Sequence, residues 1–329
     1  MKQILNHLFE NKTLTREQAK DILTVISQGA HNNSQITAFM TAYCMRTITV
    51  SELEGFRDAM LELCLSIDLE SGDLIDLCGT GGDGKDTFNI STLASFVVAG
   101  AGYKVAKHGN YGVSSGCGSS NVMEYLGYQF TNDTDSLKRS MDRANICFLH
   151  APLFHPAMKT VAPIRRELGV KTFFNMLGPM VNPAMPKNQL VGVYNLELAR
   201  MYAYLYQRSD KNYTILNALD GYDEISLTCD FKTFSADGEK INTLKEIGFD
   251  RLHPSAIAGG STVSESATIF MQVLTGECTI AQANVVLANA ALAIKTIDPE
   301  KTFGDCFYEA EDALISKRAL ASFKNLLKN

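Results

Sequence analysis

Up to residue 66 the apolar positions recur at helical spacing. Ile22, Val25 and Ile26 form one set, Ile36, Phe39, Met40 and Tyr43 a second, and Leu53, Phe56, Met60 and Leu63 a third. Thr15-x-x-Gln18 and Ser51-x-x-Glu54 fit capping boxes, and Gly29 fits the residue just past a helix end. From Leu74 onward short apolar runs alternate with helical stretches, the signature of a largely parallel sheet flanked by helices. Runs at 74–77, 103–106, 146–149, 190–194 and 213–216 read as strands. Helices are expected from Asn89 or Ser91, over 121–126 and over 196–206. Asp237-Gly238 predicts a hairpin turn between 231–234 and 240–241, and helical patterns cover 263–274, 280–294 and 310–327.

One segment breaks that alternation. His155-Pro156-Ala157-Met158 opens a helical run that Gly169 stops, and a shorter run ends at Gly178-Pro179. The expected layout is therefore α/β with an all-α small domain. The helical domain covers 1–66, completed by part of 155–185, and the α/β domain covers 70–329.

The chemistry concentrates where strands end. After the run at 74–77, Gly79-Thr80-Gly81-Gly82-Asp83-Gly84 places four glycines within six residues ahead of a helix start. Strand, glycine-rich turn and helix N-terminus together make an anion site, because backbone N–H groups approach closely and the helix dipole favours negative charge. A phosphate-bearing ligand is expected there. The same loop matches the G-x-G-x-x-G dinucleotide pattern, but that pattern needs an acidic residue about 20 positions on. No Asp or Glu lies between Asp86 and Glu124, and Lys107-His108 stand where the acid belongs.

A second loop, from Lys107 to Ser120, repeats the theme. It reads either as an ordinary polar loop or as a second anion site, with Lys107 as a point charge among Ser hydroxyls and Gly N–H groups. Two such loops on successive strands favour a ligand with phosphates at two places. Asp223-Glu224, after the run at 213–216, reads either as surface charge or as the one or two carboxylates that magnesium with a polyphosphate requires, joined by the Ser91 hydroxyl. Arg165 reads either as a solvated helix residue or as a planar fork for a carboxylate.

Composition narrows the class. The 329 residues are 46% hydrophobic, ample for a large core, and the formal charge of −6 disfavours a nucleic-acid face. No apolar run approaches a membrane span, and Met1-Lys2-Gln3-Ile4 does not start like a signal peptide. The eight cysteines include no C-x-x-C pair, which suits a reducing compartment, and no H-E-x-x-H suggests zinc. A cytoplasmic protein without membrane or nucleic-acid partners is expected.

Gly79-Thr80-Gly81-Gly82-Asp83, Thr87-Phe88-Asn89-Ile90-Ser91-Thr92, Lys107-His108-Gly109-Asn110 and His155-Pro156-Ala157-Met158 resemble the anthranilate phosphoribosyltransferase family. So do Arg165-Arg166-Glu167-Leu168-Gly169, Asn175-x-Leu177-Gly178-Pro179 and Gly221-x-Asp223-Glu224, so that the likeness spans essentially the whole chain. The resemblance implies a nucleoside phosphorylase/phosphoribosyltransferase-like fold and a homodimer formed through the helical domain. It also implies transfer of the 5-phosphoribosyl group from phosphoribosyl pyrophosphate to anthranilate in tryptophan biosynthesis. It assigns the donor to Gly79, Gly82, Asp83, Thr87, Asn89, Ile90, Ser91, Thr92, Lys107, His108, Gly109, Asn110, Tyr111, Gly112, Val113, Ser114, Ser115 and Ser119. Anthranilate falls to Gly79, Asn110 and Arg165, and a pair of magnesium ions per subunit to Ser91, Asp223 and Glu224.

Two departures stand out. The family commonly follows its KHGN motif with Arg, where this chain has Tyr111-Gly112, and a Lys common a few residues later is Gly116. Altered donor affinity with retained activity is expected. At C1 of the ribose, charge develops as at a glycosidic centre, but a pyrophosphate leaving group needs no general acid when its charge is neutralised. No catalytic acid or base is assigned, and His108 stands as a candidate helper. The competing readings are a pyrimidine nucleoside phosphorylase, which uses free phosphate, and a nucleic-acid-binding relative of the same fold.

Overall fold

The computed structural model describes residues 1–112 and 116–328. In chain order it opens with helices α1 (Lys2–Phe9), α2 (Arg16–Ser27), α3 (Asn33–Met45) and α4 (Val50–Glu62). Next come β1 (Leu74–Gly79), α5 (Ile90–Gly100), β2 (Lys104–Gly109), α6 (Ser119–Tyr125), α7 (Thr134–Ala144) and β3 (Ile146–His150). Helices α8 (Ala151–Phe154) and α9 (Met158–Leu168) and two 3-10 turns precede β4 (Asn188–Gly192), α10 (Leu196–Tyr206) and β5 (Asn212–Ala218). The hairpin β6 (Phe231–Ser235) and β7 (Gly238–Asn242) follows. The last helices are α11 (Val263–Thr275), α12 (Ile280–Ile297), α13 (Phe303–Ile315) and α14 (Arg318–Leu326).

Two compact units divide these elements. One comprises Met1–Ile67 with Ala151–Met185, the other Asp68–His150 with Pro186–Asn329. In the helical unit α2 packs on α4, and α9 packs on both α2 and α3. Phe39, Tyr43, Phe56 and Phe173 form an edge-on and stacked aromatic core, in which Phe39 and Tyr43, one turn apart on α3, meet Phe56 of α4 and Phe173. The fully buried Glu52 is matched by Arg46 and by the Tyr43 hydroxyl. Glu52 also corrects the expected cap: the box on α4 is Thr49-x-x-Glu52, and Ser51 lies inside the helix.

Among the described residues the α/β unit holds a seven-stranded sheet in the order β3-β2-β1-β4-β5-β6-β7. β1 to β5 are parallel, while β6 and β7 add on antiparallel. Alternation along the strands sends Ile75, Leu77, Val105, Phe148, Leu190 and Leu216 to one face, where they join one core with α5 and α12. Gln189 and Tyr213 point to the other face, where Tyr206 of α10 meets both.

Helix α12 has 18 residues and a mean hydropathy of 1.4, long and apolar enough to cross a membrane by composition alone, contrary to the sequence expectation. Its buried stretch packs against β4, β5 and α5, and this burial accounts for its apolar character. Two further corrections are local. The expected helix over 310–327 is α13 and α14, broken at Lys317 with a left-handed φ of 64°. The unexpected α7 is a polar helix capped by Asp133 and buried only along Leu137, Ser140, Met141 and Ala144.

Candidate functional site

The order of the strands places β1 between β2 and β4, so the chain turns both ways from β1, and ligands bind at the carboxyl ends of such a switch point. The first loop leaves β1 there. Gly81, Gly82 and Gly84 take left-handed backbone with φ of 63°, 78° and 73°, which the sequence supplies at low steric cost. Asp83 Oδ1 accepts the Lys85 N–H at 3.0 Å, and Lys85 lies over the Tyr222 ring at 4.8 Å. Thr87 bridges to Ala258, and Asp86 O accepts the Gly259 N–H at 2.7 Å.

Asn89 caps α5 by position, but its side chain donates to Cys117 O at 3.1 Å and so ties the first loop to the second. Ile90 and Thr92 are buried, so what they present at the helix start is backbone. Ser91 stands between them, and its N–H donates to Glu224 Oε1 at 2.8 Å.

Asp223 and Glu224 come to this loop from beyond β5. Asp223 Oδ2 accepts the Gly81 N–H at 2.8 Å. This close seating depends on two glycines. A Cβ on Gly79 would lie 2.1 Å from Asp223 Oδ2, and one on Gly192 only 1.5 Å from Asp223 O. Burial, then repulsion from Asp83, raises the Asp223 pKa; burial, then repulsion from Asp223, raises that of Glu224. Asp83 is raised by burial as well. Three carboxyl groups thus crowd one loop with their ionised forms disfavoured, as suits a place made for a cation. Among the described residues no group of three or more His, Cys, Asp or Glu is placed to hold a metal by itself. Two carboxylates completed by ligand oxygens and water fit magnesium chemistry well.

The second loop is built differently. Asn121 Oδ1 accepts the N–H groups of Gly112 at 2.9 Å and Gly118 at 3.0 Å. Asn110 O accepts the Ser120 N–H at 3.1 Å and the Ser119 hydroxyl at 3.3 Å. Tyr111 places its ring edge on His150 and donates its hydroxyl to Glu124 at 3.1 Å. Gly109 is needed because a Cβ would meet the Phe148 ring at 2.4 Å. Val113, Ser114 and Ser115 lie outside the described residues.

Lys107 departs from the sequence expectation of a point charge presented to phosphate. It is buried, and its Nζ donates to the Leu77 carbonyl under the first loop. Its charge lowers the Asp223 pKa from there, against the larger effect of burial. His108 is buried too, its N–H held by Asp76 Oδ1 at 3.2 Å.

Arg165 belongs to the helical unit. Its guanidinium lies 5.2 Å from the Phe174 ring, Nη2 donates to Asn175 Oδ1 at 3.3 Å, and burial lowers its pKa. It forms no ion pair with a described residue.

Residues 2–64 match the glycosyl transferase family helical bundle domain, and residues 71–320 match the a/b domain of that family. An anthranilate phosphoribosyltransferase of Christiangramia forsetii is 59% identical over 100% of this chain and 99% of its own length. The chain belongs to the anthranilate phosphoribosyltransferase family. The family enzyme of Flavobacterium psychrophilum is 60% identical over 99% of this chain and 98% of its own. Among solved structures, the Thermus thermophilus enzyme superposes with a TM-score of 0.90 at 29% identity, covering 98% of each chain. The Saccharomyces cerevisiae enzyme, in complex with phosphoribosyl pyrophosphate and magnesium, gives 0.91 at 26% identity, covering 98% of this chain and 95% of its own. Membership confirms the nucleoside phosphorylase/phosphoribosyltransferase-like architecture expected from the motifs.

Sequence reasoning passed over Gly192, Gly259 and Asn121. A glycine inside the apolar run Leu190-Val191-Gly192-Val193 was a usable signal, since a strand glycine often marks a close backbone approach. Gly259 answers to the same logic, because a Cβ there would meet Thr87 O at 2.7 Å. Nothing in the sequence singles out Asn121.

Proposed function

We infer that this chain transfers the 5-phosphoribosyl group from phosphoribosyl pyrophosphate to anthranilate, releasing pyrophosphate, in tryptophan biosynthesis. One observation carries the reading to the site: two glycine-rich loops lie on adjacent strand ends, with Asp223 and Glu224 bonded to N–H groups of the first. A nucleoside phosphorylase using free phosphate has no need of that acidic pair.

Donor phosphates would lie on Gly79, Gly82, Asp83, Thr87, Asn89 to Thr92, His108 to Ser115 and Ser119, with Lys107 buried behind them on the Leu77 carbonyl. Asp223, Glu224 and Ser91 would hold magnesium, and two ions per subunit suit a pyrophosphate with oxygens on both phosphorus atoms. When bound, magnesium neutralises the charge that pyrophosphate gains as it leaves. The chain's own part is alignment and electrostatics. Backbone N–H groups at the start of α5 and in the two loops hold the phosphates. The bond from ribosyl C1 to pyrophosphate oxygen breaks while the aromatic amine attacks from the opposite face, and the ring carries positive charge between. The amine nitrogen sheds one proton as its bond to C1 forms, to anthranilate's own carboxylate or to solvent, and no residue of the chain is assigned as general acid or base. Arg165, a half-buried cation lacking a carboxylate partner among the described residues, suits the carboxylate of anthranilate, with Gly79 and Asn110 as its other contacts.

Self-association belongs to the same reading. Between α1 and α3 runs a groove of about 750 Å3, lined by the exposed Phe9 and Met45 and by Thr37 and Thr41, and a second copy of the chain would cover it. The cysteines are all free thiols, in keeping with a cytoplasmic location. The decisive experiment follows anthranilate fluorescence with phosphoribosyl pyrophosphate and magnesium, beside reactions given phosphate and nucleosides. Loss of fluorescence only with the pyrophosphate donor is expected; phosphorolysis of a nucleoside would overturn the reading.

A further inference from the structure

Parallel strands are ordinarily held to their neighbours by an even ladder of main-chain bonds. Between β1 and β2 the register pairs are Leu74↔Lys104 and Ile75↔Val105, after which they stop. Both strands continue, β1 to Gly79 and β2 to Gly109. Each is paired to its end on the other side, β1 with β4 up to Gly79↔Gly192 and β2 with β3 up to Gly109↔His150. The seam between them is the one from which the two glycine-rich loops depart.

Side chains take over along that seam, one from each strand. Asp76 of β1 accepts the His108 N–H of β2 at 3.2 Å, and Lys107 of β2 donates to Leu77 O of β1. Alternation puts Asp76 and Lys107 on opposite faces of the sheet, so the seam is bridged on both. Asp76 is 0% exposed and Lys107 2%. Burying charge is unfavourable, and a plain ladder would hold the strands without it. What the side chains add is a spacing that a ladder does not give.

We propose that Asp76 is a positioning residue for the phosphoribosyl transfer, holding the loop that follows β2 at a set distance from the loop that follows β1. The proposal rests on the transfer reading above, because two phosphate-bearing ends of one donor demand two loops at a fixed separation.

The test compares wild type, Asp76→Ala and Asp76→Asn, the last keeping an oxygen acceptor for the His108 N–H. In Asp76→Ala the apparent KM for phosphoribosyl pyrophosphate is expected to rise about tenfold or more, the scale of one lost buried hydrogen bond. Anthranilate KM should stay in place, and hydrogen exchange at the His108 amide should quicken while the β2–β3 ladder amides keep their protection. Asp76→Asn should restore both readouts towards wild type. If Asp76→Ala does not fold, Asp76→Ser, too short to span the seam, replaces it with the same expectations. A folded Ala or Ser variant with wild-type donor KM overturns the proposal, as does an Asn variant as impaired as Ala. Should wild type form no product, the transfer reading fails by itself. The spacing is then judged with pyrophosphate and magnesium by calorimetry: weaker binding in Asp76→Ala supports it, and unchanged binding overturns it.

Discussion

The loop after β1 is held from far along the chain, whereas the loop after β2 is held mostly by its own neighbours, with Asn89 reaching Cys117 O from the first loop. Gly81 is bonded to Asp223, 142 residues away, Ser91 to Glu224, and Asp86 to Gly259. In the second loop Gly112, Gly118 and Asn110 are tied to Asn121, Ser119 and Ser120. The acceptors of the loop N–H groups differ as well, carboxylates in the first and an amide oxygen and a main-chain carbonyl in the second. The first loop is thus a charged assembly that exists only once the sheet has formed, and its carboxylates occupy N–H groups that an anion would otherwise meet. The second is organised chiefly within one strand–loop–helix unit.

Replacing Asp223→Asn together with Glu224→Gln removes the charge from the first loop but keeps its hydrogen-bond acceptors. Turnover at saturating magnesium should fall at least about 100-fold. Thermal stability without magnesium should hold or rise, because burial and mutual repulsion already disfavour the ionised pair. Full activity in the double variant would show that the pair does not serve the reaction.

Gly79→Ala is the steric test. The new methyl collides with the Asp223 carboxylate, and if that carboxylate holds magnesium as proposed, magnesium-dependent kcat/KM should fall about 10- to 100-fold. Gly116→Ala is the matched control from the second loop, with no described atom within 4 Å of the added carbon and little change expected. Similar losses in both variants would mean that the two loops tolerate added bulk alike.

Asn121→Ala probes the second loop. Two partly exposed N–H groups lose one acceptor, at a cost of about 1 kcal/mol, which is roughly a fivefold rise in donor KM. Its magnesium dependence should match wild type. A shift there would mean that the two loops respond as one.

The smallest effect is one of pH. Carboxyl groups whose folded pKa is raised stabilise the fold in their protonated form, so their contribution is greatest below the unfolded value and is lost as pH rises through the folded one. Without magnesium, Tm should drift down by a few degrees as pH rises through the neutral range. If magnesium binds the ionised pair as proposed, saturating magnesium should cancel or reverse the drift. Scanning calorimetry with and without the ion measures both slopes, and parallel slopes would place the metal elsewhere.

Much of this is legible in the sequence. Period-3.6 and short apolar runs identify most elements, and Leu196–Tyr206 is expected to the residue between the apolar strand runs on either side; the structure adds the Asn195 cap. The glycine spacing of 79–84 marked the anion loop, since few other residues take its left-handed backbone. Local signals misled where alternatives compete. Thr49 rather than Ser51 caps α4, because the Glu three residues after Thr49 is the one drawn into the Arg46 pair. Lys317 breaks a helix that its periodicity continues.

The alternation of helices and strands, the two glycine loops and the acidic pair are properties of neighbouring residues, and all of them stand in the chain as written. That Asp223 reaches Gly81, that Gly192 clears the way for it, and that Lys107 is buried against the Leu77 carbonyl while Asp76 holds His108 follows only from the folded sheet. Those are distances between strands brought together by burial of the sheet's faces. No local pattern encodes a spacing that depends on where every other strand comes to rest.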